Sequence, residues 1–205
     1  MVKNYDFVDL TIGHHPYLCN EVDENSFRTL FNKHLKNYKD KIKIIGETGL
    51  DFSYDVNPTN QIKSFKLHIE TAIKNELPIL IHVRDAFEET YEIISEHKSE
   101  LKTVLIHCFT GDDEYAEKFI NLDCYFSITG IITFKSAEKL RSTIKNLPKN
   151  KIFFETDAPY LTPVPMRGEI NKPSLLRHII EYYCELTKED FSNIANISTK
   201  NYERF

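Results

Sequence analysis

Ile44-Ile45-Gly46-Glu47, Ile79-Leu80-Ile81-His82, Val104-Leu105-Ile106-His107 and Phe153-Phe154-Glu155-Thr156-Asp157 are four short apolar runs, each carrying an acid or an imidazole at or near its end. A charged or imidazole group that finishes a buried strand is costly unless something pairs with it. Four of them on successive strands, with helix-like segments between, point to one shared site. Barrels of alternating strands and helices build sites in this way, at the C-terminal ends of parallel strands. Two histidines and two carboxylates suit a divalent cation such as zinc, manganese or magnesium.

Working outward, strand-like runs cover Phe7 to Ile12, Ile42 to Gly46, Leu77 to Val83, Thr103 to Phe109, Cys124 to Thr129 and Lys151 to Thr156. Between them lie stripes at helical spacing: Phe27, Leu30, Phe31, Leu35 and Tyr38, then Phe65, Ile69, Ala72 and Ile73. Phe87, Tyr91 and Ile94 make a third stripe, Tyr115, Phe119 and Ile120 a fourth, and Leu140, Ile144 and Leu147 a fifth. Continuous apolar strands alternating with amphipathic helices predict an α/β fold with parallel strands covered on both faces. The spacing then predicts closing helices at Leu176 to Leu186, Asp190 to Asn196 and Thr199 to Phe205, with Thr187 as a cap ahead of Asp190. Six strands are visible where an eight-stranded barrel of ~250 residues is usual. The fold expected is therefore a TIM-type (β/α) barrel, incomplete at the N-terminus, in one domain of residues 1–205.

Composition sets bounds on function. The 205 residues are 41% hydrophobic and 28% charged, with a net charge of −5 that argues against non-specific nucleic-acid binding through a basic surface. A nucleic-acid substrate stays open, because a metal can hold phosphate without a basic exterior. Cys19, Cys108, Cys124 and Cys184 sit far apart, which reads as reduced, mostly buried thiols in a cytoplasmic protein. Cys108 is expected to pack on the strand face opposite His107. No apolar run reaches the ~18 residues that would span a bilayer. The proline-rich stretch from Ala158 to Pro173 follows a candidate ligand directly and reads as an active-site loop.

Strand alternation puts Glu47 on one face with Ile45 and Gly49, and Glu155 on one face with Asp157. One consistent choice of inward face brings Glu47, His82, His107 and Asp157 to the same mouth. Arg84 and Arg167 are candidates for phosphate contacts, since guanidinium forks match phosphate oxygens. Arg84 is equally a candidate for a structural ion pair with Asp85 or Glu155. Asp51 and Asp85 are candidates for orienting the ligands. Tyr17, Cys19 and the lysine-rich stretch from Lys33 to Lys43 read as surface and helix chemistry.

Local strings carry a resemblance across nearly the whole chain. Gly13-His14-His15-Pro16, Gly46-Glu47-Thr48-Gly49-Leu50-Asp51, His82-Val83-Arg84-Asp85-Ala86 and His107-Cys108-Phe109-Thr110-Gly111 occur in order. Thr129-Gly130-Ile131-Ile132-Thr133-Phe134-Lys135, Glu155-Thr156-Asp157-Ala158-Pro159-Tyr160-Leu161-Thr162-Pro163, Arg167-Gly168 and Asn171-Lys172-Pro173 follow. Together they resemble the TatD family of metal-dependent deoxyribonucleases and related hydrolases. The resemblance implies that Glu47, His82, His107 and Asp157 are ligands to one or two divalent ions (magnesium, manganese or zinc). It implies that His15 contacts substrate or phosphate; in metal-assisted hydrolysis Asp157 is the expected acceptor of the proton from the attacking water. The implied substrate is DNA, at single-stranded or 3′ ends.

The sequence departs from the family in several places. It has no His-x-His pair, which the family carries on its first strand, and it is expected to begin at the family's third strand. His14-His15 is a poor replacement, because neighbouring strand residues point to opposite faces. Met166, Glu169 and Lys172 depart from the family's usual loop. Rival expectations are an amide or ester hydrolase of the amidohydrolase-like barrel superfamily that the resemblance implies, a poorly active truncated product, and a functional protein with a start further upstream. Self-association through exposed strand edges near Phe7 to Ile12 and Lys151 to Thr156 is also expected.

Overall fold

The computed structural model describes residues 5–20 and 22–205. The chain divides into two compact units, Met1–Leu105 and Ile106–Phe205. In the first, β1 (Leu10–Ile12), α1 (Glu24–Asn37), β2 (Ile42–Asp51), α2 (Pro58–Asn75), β3 (Ile79–Arg84) and α3 (Phe87–His97) alternate along the chain. Strand β1 pairs parallel with β2, Leu10 opposite Ile42 and Ile12 opposite Ile45. Strand β2 pairs parallel with β3, Gly49 opposite His82 and Leu50 opposite Val83.

Local chemistry explains these elements. Asp23 caps α1 by accepting from the Ser26 N–H at 2.7 Å, and Asn57 caps α2 through the Thr59 N–H at 2.8 Å. Pro58 opens α2, where its missing N–H costs nothing. Glu76 ends α2 in a left-handed conformation. Ile45, Leu50, Ile79 and Ile81 are fully buried, as are Phe65, Ile69 and Ala72 of α2, which packs on β2. Each large aliphatic or aromatic side chain so buried is worth about 1.5–3 kcal/mol.

The short β4 (Val104–Ile106) runs into the second unit, which holds α4 (Asp113–Asn121), β5 (Tyr125–Ile128), α5 (Glu138–Asn146), β6 (Ile152–Phe154), α6 (Leu176–Thr187) and α7 (Phe191–Arg204). Strands β5 and β6 pair parallel, with Ser127 opposite Phe153. Phe119, Phe126, Ile128, Ile144, Ile152, Ile179 and Tyr183 form the core of this unit. Burial pushes the Tyr183 phenol up to about 12. Asn201 of α7, itself buried, donates to the carbonyls of Lys149 (2.9 Å) and Ile152 (2.8 Å), which ties the last helix to the start of β6.

All six expected strands are present in order, with helices between, and the class is α/β of the (β/α)-barrel type. Their extents differ from the sequence reading in instructive ways. Strand β1 starts at Leu10 rather than Phe7, because the Lys41 ammonium draws in the carbonyls of Tyr5 (2.8 Å) and Val8 (3.3 Å) ahead of it. Strand β2 continues five residues past Gly46, with an irregular register between Ile45 and Thr48. The two closing helices expected at Asp190 and Thr199 are one, α7, capped by Asp190 through the Asn193 N–H at 3.0 Å. Thr187 ends α6 instead of opening the next helix; its hydroxyl donates to the Tyr183 carbonyl. Among the described residues no helix is long and apolar enough to cross a membrane.

Candidate metal centre

In the first unit, β2 and β3 carry Glu47 and His82. His82 Nδ1 lies 2.9 Å from Glu47 Oε1, and His82 Nε2 lies 2.8 Å from Asp51 Oδ2. The imidazole is thus held at both nitrogens by carboxylates. Asp51 is 1% exposed and its carboxylate also accepts from the Ser53 N–H at 3.0 Å. Its backbone is pinned by buried Gln61 of α2: the Asp51 N–H donates to Gln61 Oε1 at 2.8 Å, and Gln61 Nε2 donates back to the Asp51 carbonyl at 2.9 Å. A buried carboxylate that fixes one ring nitrogen sets the direction in which the other meets a cation.

His15 completes the group. It caps a short 3-10 turn at Pro16–Leu18, where its Nδ1 accepts from the Tyr17 N–H at 3.3 Å. That turns Nε2 to 3.6 Å from Glu47 Oε1, and its ring centroid to 4.5 Å from that of His82. His15, Glu47 and His82 each offer one ligand atom, and these atoms all lie within 4.8 Å of one another. Two imidazoles and one carboxylate, all half-buried, form a donor set that fits a divalent cation. His15, expected on the substrate, therefore lies where it can also serve as a ligand.

The close approach of backbones here requires glycine. A Cβ on Gly49 (φ 137°) would fall 2.1 Å from the His82 carbonyl oxygen, and one on Gly13 would fall 2.4 Å from that of Glu47.

The second unit repeats the arrangement with different residues. His107 Nδ1 lies 2.9 Å from the Glu155 carboxylate, and its Nε2 lies 3.6 Å from Asp157 Oδ1. Glu155 is itself held by the Cys108 N–H at 2.8 Å and by the Ser127 hydroxyl of β5. His107 and Cys108 follow β4, and Glu155 and Asp157 follow β6, so strand alternation does not set their directions. Cys108 (φ 44°) and Asp157 (φ 55°) take left-handed backbone conformations instead. Cys108 is accordingly no strand residue on an opposite face: its thiol lies 3.2 Å from the Thr129 hydroxyl.

The remaining candidates are placed as follows. Arg84 is exposed at the end of β3, and among the described residues it makes no ion pair with Asp85 or Glu155. Asp85 is exposed at a left-handed position (φ 53°) and makes no hydrogen bond to His82. Arg167 lies in the loop after β6 with its guanidinium 4.0 Å above the Phe134 ring. The same loop is secured by Asn171, whose amide donates to the Thr156 carbonyl at 2.6 Å. All four cysteines are free thiols, and Cys19, read as surface, is buried.

Sequence reasoning missed two participants, Glu155 and Gln61, and a buried histidine, His68, that holds the backbone next to His15. Glu155 was placed on a shared face with Asp157 but given no role toward His107; its position two residues before a candidate ligand was the available signal. Gln61 gave none, since an amide on a helix is ordinary. His68 is fully buried, accepts from the His14 N–H at 2.9 Å and donates to the Ser64 carbonyl at 2.7 Å. Burial pushes it down to about 3, which keeps it neutral.

An α/β chain with carboxylate-held histidines at or near the C-terminal ends of its parallel strands has the build of a metal-dependent hydrolase of the barrel type. The profile of the TatD-related DNase family matches residues 1–205, and the chain belongs to that family. It is 37% identical over 205 residues to the uncharacterized metal-dependent hydrolase YabD of Bacillus subtilis, covering all of this chain and 79% of that protein. It is 35% identical over 206 residues to the uncharacterized metal-dependent hydrolase YcfH of Escherichia coli K12, covering 76% of it. The structure superposes on that of YJJV, a TatD homologue from Escherichia coli K12, with a TM-score of 0.92 and 26% identity, over 99% of this chain and 78% of that one.

Proposed function

We propose that this metal-dependent hydrolase is a deoxyribonuclease that hydrolyses phosphodiester bonds at DNA ends, with residues 1–205 acting as one catalytic domain. The observation that carries the reading is the His15–Glu47–His82 group, backed by buried Asp51, in a chain of the TatD-related DNase family. Glu47 and His82 in the first unit, with His107 and Asp157 in the second, are the proposed ligands. A divalent cation bound by such residues supplies Lewis acidity, which neutralises phosphate oxygens and lowers the pKa of water.

The chain's own groups do the rest. Asp51 and Glu155 each hold an imidazole by one ring nitrogen and so fix the direction of the other. Asp157 accepts the proton released as water attacks phosphorus. Arg84 and Arg167 grip non-bridging phosphate oxygens as charge builds on them, with Arg167 prealigned by Phe134.

The test is cleavage of 3′-labelled single-stranded DNA with magnesium, manganese or zinc by the parent chain and by Asp157→Asn. The parent should shorten the DNA only with metal, and Asp157→Asn should be silent. A metal-loaded parent that leaves DNA intact but cleaves an amide or a carboxylic ester defeats the nuclease reading in favour of a deacylase.

A further inference from the structure

Two buried side chains of α2 reach the backbone behind each imidazole of the metal group. Gln61 and His68 are both fully buried and stand seven residues apart, about two turns along one helix face. Gln61 holds the Asp51 backbone, and Asp51 holds His82. His68 serves the other imidazole: its Nε2 accepts from the His14 N–H at 2.9 Å, one residue before His15.

The His68 ring is fixed in place and in polarity. Its Nδ1 lies 2.7 Å from the Ser64 carbonyl, which only accepts, so the proton sits there and Nε2 keeps a lone pair for His14. The Phe27 and Phe31 rings of α1 meet the imidazole edge-on, at 4.8 and 5.0 Å between centroids. The residue before His14, Gly13, lies so close to β2 that a Cβ there would fall 2.4 Å from the Glu47 carbonyl oxygen. The Gly13–His14 backbone is therefore held both by α2 and by the strand that carries Glu47. The chain leaves that clamp directly into His15, whose Nε2 ends 3.6 Å from Glu47 Oε1 and whose ring lies 4.5 Å from that of His82.

We propose that His68 is a positioning residue of the metal centre: with Gln61 it makes α2 a spacer that sets His15 against His82, and through His15 it raises the affinity for the cation. This rests on the metal centre of the proposed function and not on its DNA substrate. A histidine that only filled space would be replaceable by leucine, whereas the contact to His14 needs an acceptor at the Nε2 position. A glutamine amide supplies that acceptor and a donor for Ser64; leucine supplies neither.

The test is isothermal titration calorimetry of the full chain with manganese, following the binding event that Glu47→Ala removes, in variants that unfold cooperatively in urea. His68→Leu should weaken that binding about tenfold, and His68→Gln should keep parental affinity. In a His15→Ala chain, His68→Leu should cause no further loss, because its effect runs through the missing imidazole. Where His15→Ala binds too weakly to titrate, the rescue by glutamine decides. His68→Met, unbranched and without the ring nitrogens, replaces His68→Leu if the latter does not fold. Parental affinity in His68→Leu, a His68→Gln chain as weak as His68→Leu, or an equal loss with and without His15 overturns the proposal and leaves the metal centre standing. A parent chain that binds no manganese overturns both.

Discussion

Asp51 and Asp85 were equal candidates on sequence, both acids close to a proposed ligand, and burial separates them. Asp51 is buried against His82 Nε2, whereas Asp85 faces solvent. Asp51→Ala should lower divalent-metal affinity about 10–100-fold, and Asp85→Ala should leave it unchanged, both read by isothermal titration calorimetry. His68 supplies a second residue-scale prediction. Its folded value, about 3, lies below its unfolded value of 6.5, so the stability it contributes is present above pH 6.5. That stability is lost as pH falls toward 3, by about 1.4 kcal/mol per pH unit for one proton. His68→Gln should flatten the pH dependence of the unfolding free energy, obtained from urea titrations between pH 6 and 4, by about that amount. Glu47, His82, His107 and Asp157 were conspicuous as proposed ligands because acids and imidazoles are rare after apolar runs. Glu155 and Gln61 were not, since their roles arise from tertiary hydrogen bonds that no local pattern encodes.

At the scale of the element, strand β2 shows where periodicity stops being informative. Alternation puts Ile45, Glu47 and Gly49 on one face, but the register slips between Ile45 and Thr48, and the strand runs on to Asp51. Gly49 at φ 137° is the element's tightest point, with His82 directly opposite. Gly49→Ala should therefore destabilise by at least about 2 kcal/mol in urea unfolding, and it should weaken metal binding by displacing His82. The helices were read more reliably, because Phe27, Phe31 and Leu35, or Phe65, Ile69 and Ala72, mark a buried stripe whatever lies beneath it. Their ends were less legible. Asp190 caps α7 by itself, and Asp190→Ala should cost about 1 kcal/mol in the same assay.

For the whole molecule, strand order and helix alternation followed from the sequence pattern, and the likeness to YJJV extends over 99% of the chain. Among the described pairings, β1 pairs only with β2 and β6 only with β5. Unpaired strand edges favour association, which light scattering on the purified chain would register as oligomers; a monodisperse, heat-stable monomer counts against it. Both edge strands are three residues long, which limits the template that they offer. A cation bound only by the folded state should also raise the melting temperature, and a chelator should reverse the rise. At a hundredfold excess over the dissociation constant the gain is about 2.7 kcal/mol.

The clasp between Gln61 and the Asp51 backbone has an experimental use. The amide proton of Asp51 is locked by the helix side chain, while the carboxylate of the same residue steers His82. Its exchange with deuterium therefore reports on the same local opening that would let the imidazole swing away. Cation binding should slow exchange at that one amide more than at Leu50, its fully buried neighbour. Asp51 is a built-in probe of occupancy that needs neither a substrate nor a label.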